Sequence, residues 1–286
     1  MAADRENLSG VYRFTSIARP VDPAFPTNRA LLLAMPMLVV ASAALATADV
    51  IGLSPATAAI NALLVSFVSW ALTRELAPDD DAAAFLALFI AWPVSLFLGP
   101  SSVLLGFAVL FLVRIVNQST GLTARPFDTV SVLGLSVFAA YSMDLPLLLI
   151  VAGLAFVIDA MLPNGTKLHY VAAGVCAGAF SWQGIDSVVS ADQSFEAWVG
   201  FGAMAVAAAL VMAKTKYPTS VCDVSPDRLV AVRVNAGLGI GLLAGAQFLL
   251  TAGASAWPTT PLFVCLAAVP VSFGIQRVLS LGGSRS

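Results

Sequence analysis

The chain is 286 residues long, 59% apolar and only 10% charged, with a formal net charge of −2 and a mean hydropathy of +0.92. Soluble domains carry about 25% charged residues, so this composition excludes an ordinary soluble fold and reads as an all-α, polytopic transmembrane helical bundle. The basic residues are scattered singly, which also excludes the dense basic face that nucleic-acid binding needs.

The first 29 residues are polar, contain several prolines and lack the apolar core of a signal peptide. We expect residues 1–29 to form a cytoplasmic arm that lies partly on the membrane surface between Val11 and Ile17. Ten apolar stretches follow, at 30–48, 55–73, 82–98, 101–116, 129–143, 145–162, 168–185, 197–213, 235–253 and 259–279. They make residues 30–281 a single transmembrane domain, with 282–286 as a cytoplasmic tail. A perpendicular span needs about 20 residues. The fourth, fifth and sixth stretches fall short and could thin the bilayer or re-enter it.

All fourteen Lys and Arg residues fall on one side of this ten-span arrangement. They precede the first stretch (Arg5, Arg13, Arg19, Arg29) or follow the even-numbered ones: Arg74, Arg114, Arg125, Lys167, Lys214, Lys216, Arg228, Arg233, Arg277 and Arg285. The opposite loops carry only acids: Asp49, Asp144, Asp186, Asp192 and Glu196. By the positive-inside bias both termini are cytoplasmic, and the short loops suit a prokaryotic plasma membrane. Trp182, Trp198 and Trp257 lie near the outer loops, as an aromatic belt would place them.

Within the stretches, Pro36, Pro93 and Pro270 each remove a backbone donor and favour a kink. Gly237, Gly241 and Gly245 recur every four residues in the ninth stretch, as Gly174 and Gly178 do in the seventh. Both series predict faces on which another helix packs closely. The segment from Asp81 to Arg114 weakly echoes that from Asp128 to Asp159, which would be a parallel hairpin repeat. Ser225, Pro226 and Asp227 read as an N-cap, a first-turn proline and an acid that begin an amphipathic entry helix through Arg228 and Arg233.

Candidate functional residues fall in two groups. Asn61 and Gln247 are amides near the middle of their stretches, where they glue helices together or contact a midplane solute. The connection after the fourth stretch is the densest polar segment, with Arg114, Asn117, Gln118, Ser119, Thr120, Gly121, Thr123, Arg125 and Asp128. Two guanidinium groups among hydroxyl and amide donors suit a phosphate or lipid head group, or a capped turn in water. Asp159 ends the sixth stretch after fourteen uncharged residues, and we expect it to neighbour Arg114 or to meet Lys167 and His169. The carboxylate run Asp79, Asp80 and Asp81 reads as a helix start.

No catalytic, metal-binding or cofactor motif stands out, and Cys176, Cys222 and Cys265 do not cluster. Three functions fit. The leading one is a small secondary transporter or flippase-like carrier with a cavity near Asn61 and Gln247. The second is a membrane-embedded enzyme or binding protein for a lipid or isoprenoid phosphate at the cytoplasmic face, through Arg114, Asn117, Arg125, Asp128 and Asp159. The third is a structural or assembly subunit that meets a membrane-protein partner or forms a homo-oligomer.

Overall fold

The computed structural model describes residues 10–98, 101–184, 194–214, 218–252 and 259–283, with the side chains of 252 and 281–283 left aside. Of the residues that set the expected topology, Arg5, Asp186, Asp192, Lys216, Trp257 and Arg285 lie outside the described residues, as does the tail from 284 onward.

Each apolar stretch becomes one helix: α1 (Pro26–Thr47), α2 (Pro55–Leu76), α3 (Asp81–Phe97), α4 (Val103–Asn117), α5 (Pro126–Ser142), α6 (Leu147–Met161), α7 (Leu168–Gln183), α8 (Phe195–Lys214), α9 (Ala231–Ala252) and α10 (Thr260–Gly283). Local chemistry sets the starts. Ser54, Asp80 and Ser102 accept from backbone N–H groups in the first turns of α2, α3 and α4. Pro26, Pro55 and Pro126 occupy first-turn positions that need no donor. Gln118 closes α4 in the left-handed conformation, with φ of 49°. Pro36, Pro93 and Pro270 lie inside helices that continue past them.

Five helices, α1, α2, α8, α9 and α10, are long and apolar enough to cross a membrane. The other five are 15 to 17 residues long. At about 1.5 Å per residue such a helix reaches roughly 25 Å, short of a hydrocarbon core of about 30 Å. The shortness expected for the fourth to sixth stretches therefore extends to the third and seventh.

Helix α4 packs on α2, α5, α6 and α9, and α2 packs on α1, α3 and α10 as well. These contacts bury ten residues of α4 and thirteen of α2, so the two form the centre of the bundle. Helix α8 lies at the rim against α9 and α10, with Ala208 its buried residue. The hairpins of the weak repeat make unequal contacts: α3 packs chiefly on α2 and α10, whereas α5 packs on α4, α6 and α7.

The glycines of α9 pack as expected. A Cβ on Gly237 would lie 2.0 Å from Asn117 Oδ1, one on Gly241 3.1 Å from Leu76, and one on Gly245 2.9 Å from Phe201. Those on Gly174 and Gly178 would meet nothing within 4 Å, so the expected close face of α7 is open. The spacing is the same in both helices, and only the neighbours differ.

The entry helix expected from Ser225 is also corrected. Val221 and Arg228 form an isolated antiparallel bridge, Cys222 N donates to Asp227 O at 2.9 Å, and α9 begins later, at Ala231. The Ser225 hydroxyl accepts from Asp227 N at 3.4 Å inside this turn rather than capping a helix. The turn seats on the connection after α4, where Asp223 N and Val224 N donate to Ser119 O and Thr120 O, each at 3.2 Å. That contact requires glycine at 121: its φ is +79°, and a Cβ there would lie 2.5 Å from Ser225 Oγ.

Candidate functional site

The connections after α2, α4, α6 and α8 and the arm before α1 converge at one end of the bundle, called here the basic end. Two buried carboxylates organise it. Glu75, next to last in α2, is 1% exposed. Its Oε1 accepts from Arg19 Nη1 and Arg114 Nε, each at 3.1 Å, and from Ser119 Oγ at 3.2 Å. Asn117 Nδ2 donates to the Glu75 carbonyl at 2.7 Å. Asp159, near the end of α6, is fully buried. Its Oδ1 accepts from Arg233 Nη1 at 2.8 Å and Gln118 Nε2 at 3.1 Å, while Oδ2 lies 2.6 Å from His169 Nδ1. His169 Nε2 lies 3.0 Å from the Thr129 hydroxyl, and Phe156 packs on the imidazole. Arg233 also donates to Val116 O and Pro163 O, filling carbonyls that the ends of α4 and α6 leave open.

The expected pairing of Arg114 with Asp159 does not form. Each finds another partner, because consecutive residues at the end of α4 face different helices: Asn117 turns to Glu75 and Gln118 to Asp159. Of the expected cluster of Asp159, Lys167 and His169, the first and last meet, while Lys167 Nζ reaches the Ala160 carbonyl at 3.4 Å.

The arm docks against the bundle from Arg13 onward. Gly10–Arg13 forms a single 3₁₀ turn, and the following residues dock on the polar connection. Asp128 Oδ2 accepts from Ser16 N at 2.8 Å and Ser16 Oγ at 2.6 Å, its Oδ1 accepts from Thr15 Oγ1, and Arg125 donates to the Arg13 carbonyl. Thr120 Oγ1 donates to Ser16 O at 2.6 Å and Arg114 Nη1 to Ile17 O at 3.3 Å. Arg19 then forks between Glu75 and Asp223, with 2.5 and 2.7 Å to the latter. Burial disfavours its charge, but Glu75 and then Asp223 outweigh that and raise its pKa, so it stays ionised. Much of the donor capacity that the sequence offers to a phosphate is thus spent on the arm.

The three aspartates at the start of α3 have separate tasks. Asp80 caps the helix through Ala83 N at 3.0 Å and accepts from Ser272 Oγ at 3.0 Å, and Asp81 lies 3.3 Å from Arg74 Nη1. Asp79 accepts from Ser220 N at 2.7 Å, Ser220 Oγ at 2.6 Å and Thr219 N at 2.9 Å. Burial pushes its pKa up, but these hydrogen bonds prevail and lower it. A lowered carboxyl pKa stabilises the fold above the ordinary aspartate value of about 3.9 and loses that effect as pH falls through the folded value. Acid that takes the pH below this lowered folded value should therefore release the 218–220 segment from α3, seen as faster amide exchange at Thr219 and Ser220, and Asp79→Asn should produce that exchange at neutral pH. Among the described residues no group of three or more His, Cys, Asp or Glu side chains could hold a metal ion.

Two clefts open at the basic end. The larger, of about 490 Å³, lies between the arm, α1, α2 and the 220–229 turn; among its lining residues are Arg19, Arg74, Arg114, Trp70, Phe67 and Asp223. The smaller, of about 260 Å³, lies between α8, α9 and α10 beside Asp79, Asp80 and Lys214. Of the residues singled out in the sequence, Arg114 lines the larger cleft; Asn61, Gln247, Asn117, Arg125, Asp128 and Asp159 line neither. Asn61 donates to Ser95 O at 3.1 Å and Gln247 to Thr251 Oγ1 at 3.1 Å, both within packed helices. Sequence reasoning passed over Glu75, Arg19 and Arg74 as parts of a site. The available signal was Arg74 and Glu75 adjacent at the end of an apolar run, where an acid must find a cation as the helix leaves the bilayer.

Among the described residues there are ten helices, five of them long and apolar enough to cross a bilayer, which is consistent with a helical membrane protein. No protein family, curated protein or solved structure matches this chain. Its function is therefore read from geometry alone.

Proposed function

We propose that the chain is a ten-span protein of a prokaryotic plasma membrane, with both termini cytoplasmic, that binds a phosphate-bearing amphiphile at its cytoplasmic face. A lipid or isoprenoid phosphate has the required chemistry. The larger cleft carries this reading: its volume of about 490 Å³ is that of a small-ligand site, and its α2 wall grades from polar to apolar. Arg74 sits at the helix end with only Nη1 engaged, by Thr27 Oγ1 at 2.9 Å and by the half-exposed Asp81. The guanidinium stacks over Trp70 at 5.4 Å, and Phe67 follows about 10 Å deeper along the helix axis. A phosphate on the free edge of Arg74 would leave its chain running along Trp70 and Phe67 towards the bilayer core.

The test is binding of a short-chain lipid phosphate to the purified protein by native mass spectrometry. Arg74→Gln should weaken binding by about tenfold while leaving the melting temperature within about 2 °C, since Arg74 is itself part-exposed and its carboxylate partner Asp81 is half-exposed. Equal binding by the variant and the parent would overturn this reading. No binding by either would favour a structural or assembly subunit.

A secondary transporter or flippase-like carrier is the second reading. It is favoured by a buried polar row on α2, Asn61, Ser66, Ser69 and Thr73, in which the Ser66 and Ser69 hydroxyls have no hydrogen-bond partner. Solute uptake into proteoliposomes that Ser66→Ala and Ser69→Ala together abolish would support it.

A further inference from the structure

Resting on the reading of the larger cleft as an amphiphile site, we infer that the head group it takes is a zwitterionic phosphoester, with a phosphate and an ammonium, rather than a bare phosphate or diphosphate. The charge balance carries this. Arg19, Arg74 and Arg114 face the cleft, but so do Asp22 and Asp223, and Glu75 lies directly behind Arg19 and Arg114 at 3.1 Å. Three guanidinium charges thus meet three carboxylates, and Asp81 beside Arg74 adds a fourth. A diphosphate carrying two or three charges would be poorly compensated there, whereas a net-neutral head group needs no excess of positive charge from the wall.

Within this balanced lining, one guanidinium edge and one carboxylate oxygen are left without a partner, as a dipolar ligand requires. The α2 wall supplies the free guanidinium edge of Arg74, a fit for phosphate oxygens. The opposite wall, built by the arm, supplies Asp22 with Tyr12 and Phe25. Asp22 Oδ1 accepts from Ala24 N at 2.8 Å and its Oδ2 is unengaged. A carboxylate beside aromatic rings is the usual chemistry for holding an alkylammonium group, by charge pairing and cation–π attraction. The arm, bolted down by Asp128, Glu75 and Asp223, is what brings this acid and these rings into the same cleft as Arg74.

The test compares four probes on the full-length protein in detergent: dihexanoyl phosphoethanolamine lipid, dihexanoyl phosphoglycerol lipid, a prenyl diphosphate and soluble phosphoethanolamine. The phosphoethanolamine lipid should bind at least about tenfold tighter than the phosphoglycerol lipid and the diphosphate. Asp22→Asn, which keeps the Ala24 contact at an exposed position, should shrink that preference to threefold or less, and Asp22→Glu should restore it. Soluble phosphoethanolamine binding as tightly as the lipid would keep the head-group assignment and identify a free phosphoester as the source; much weaker binding would identify the lipid. Equal or tighter binding of the anionic probes, or a preference that Asp22→Asn leaves unchanged, overturns the inference. If Arg74→Gln weakens all probes while the preference is absent, the amphiphile site stands and only its head-group assignment falls. If Arg74→Gln changes nothing, the underlying reading falls with it.

Discussion

Glu75→Gln should be among the most damaging single substitutions in this chain, costing about 3–5 kcal/mol and lowering the melting temperature by roughly 10 °C. The carboxylate is 1% exposed and serves two guanidinium groups, Arg114 itself being almost fully buried. Removing its charge leaves a buried cation with no counterion, and that is much costlier than the pair is stabilising. The glutamine keeps the shape and one acceptor, so packing loss does not contribute. Arg19 would keep only Asp223, and the arm should loosen. Limited trypsin digestion should then cut after Arg13 at least about tenfold faster than in the parent, because cleavage follows the population of the detached arm. Unchanged melting and unchanged cleavage together would mean that the arm is held without Glu75, by its contacts with Asp128, Thr120 and Asp223. A companion double variant, Glu75→Leu with Arg114→Met, should recover part of the lost stability, since no buried charge is then left unpaired.

Arg233→Met should cost a comparable amount, about 3–5 kcal/mol, for a related reason. Arg233 is 2% exposed and reaches from the first turn of α9 into the gap between α4 and α6. Its loss takes the guanidinium counterion from the Asp159 carboxylate, which keeps Gln118 and His169, and leaves the carbonyls of Val116 and Pro163 without that donor. Methionine fills nearly the same volume and brings no donor. The effect should appear as faster amide exchange at the junction of α4, α6 and α9, which Arg233 ties together. Asp159→Asn alone should also destabilise, whereas Asp159→Asn combined with Arg233→Met should cost clearly less than the sum of the two. A strictly additive double variant would show that the pair is not energetically coupled.

Both predictions concern residues that the sequence marks unevenly. The helices were legible because each is an apolar run bounded by charge, proline or a capping residue, and such patterns are local. The start of α3 at Asp80 and Asp81 could be read in the same way, since a carboxylate before an alanine-rich run caps its own helix. The entry helix at Ser225 was misread despite similar local chemistry. There the backbone satisfies its donors against Ser119 and Thr120, far away in sequence, and a tertiary contact overrides the local preference. The two glycine series show the same limit, since identical spacing gives a packed face in α9 and an open one in α7.

The site was legible only as an inventory of residues. Arg114, Asp128 and Asp159 stood out because charges at the end of an apolar segment must be compensated, and all three are in fact buried and compensated. Their partners were not legible. Asp128 holds the arm, Arg114 meets Glu75, and Asp159 meets His169 and Arg233. Asn61 and Gln247 drew attention by depth alone; Asn61 donates across to Ser95, whereas Gln247 bonds only within its own helix, to Thr251, and its buried Oε1 has no partner.

The sequence by itself determined the composition class, the ten helical segments and the gathering of charge at alternate connections, because hydropathy and capping act over a few residues at a time. Only the tertiary structure decided which carboxylate neutralises which guanidinium, that the arm folds back to roof a cleft, and that the cleft lies at the basic end. Those outcomes depend on the direction in which each helix end points, and one residue along a helix turns a side chain by about 100°. At the end of α4 the last helical residue, Asn117, binds Glu75, and the left-handed turn at Gln118 sends the next side chain to Asp159 instead.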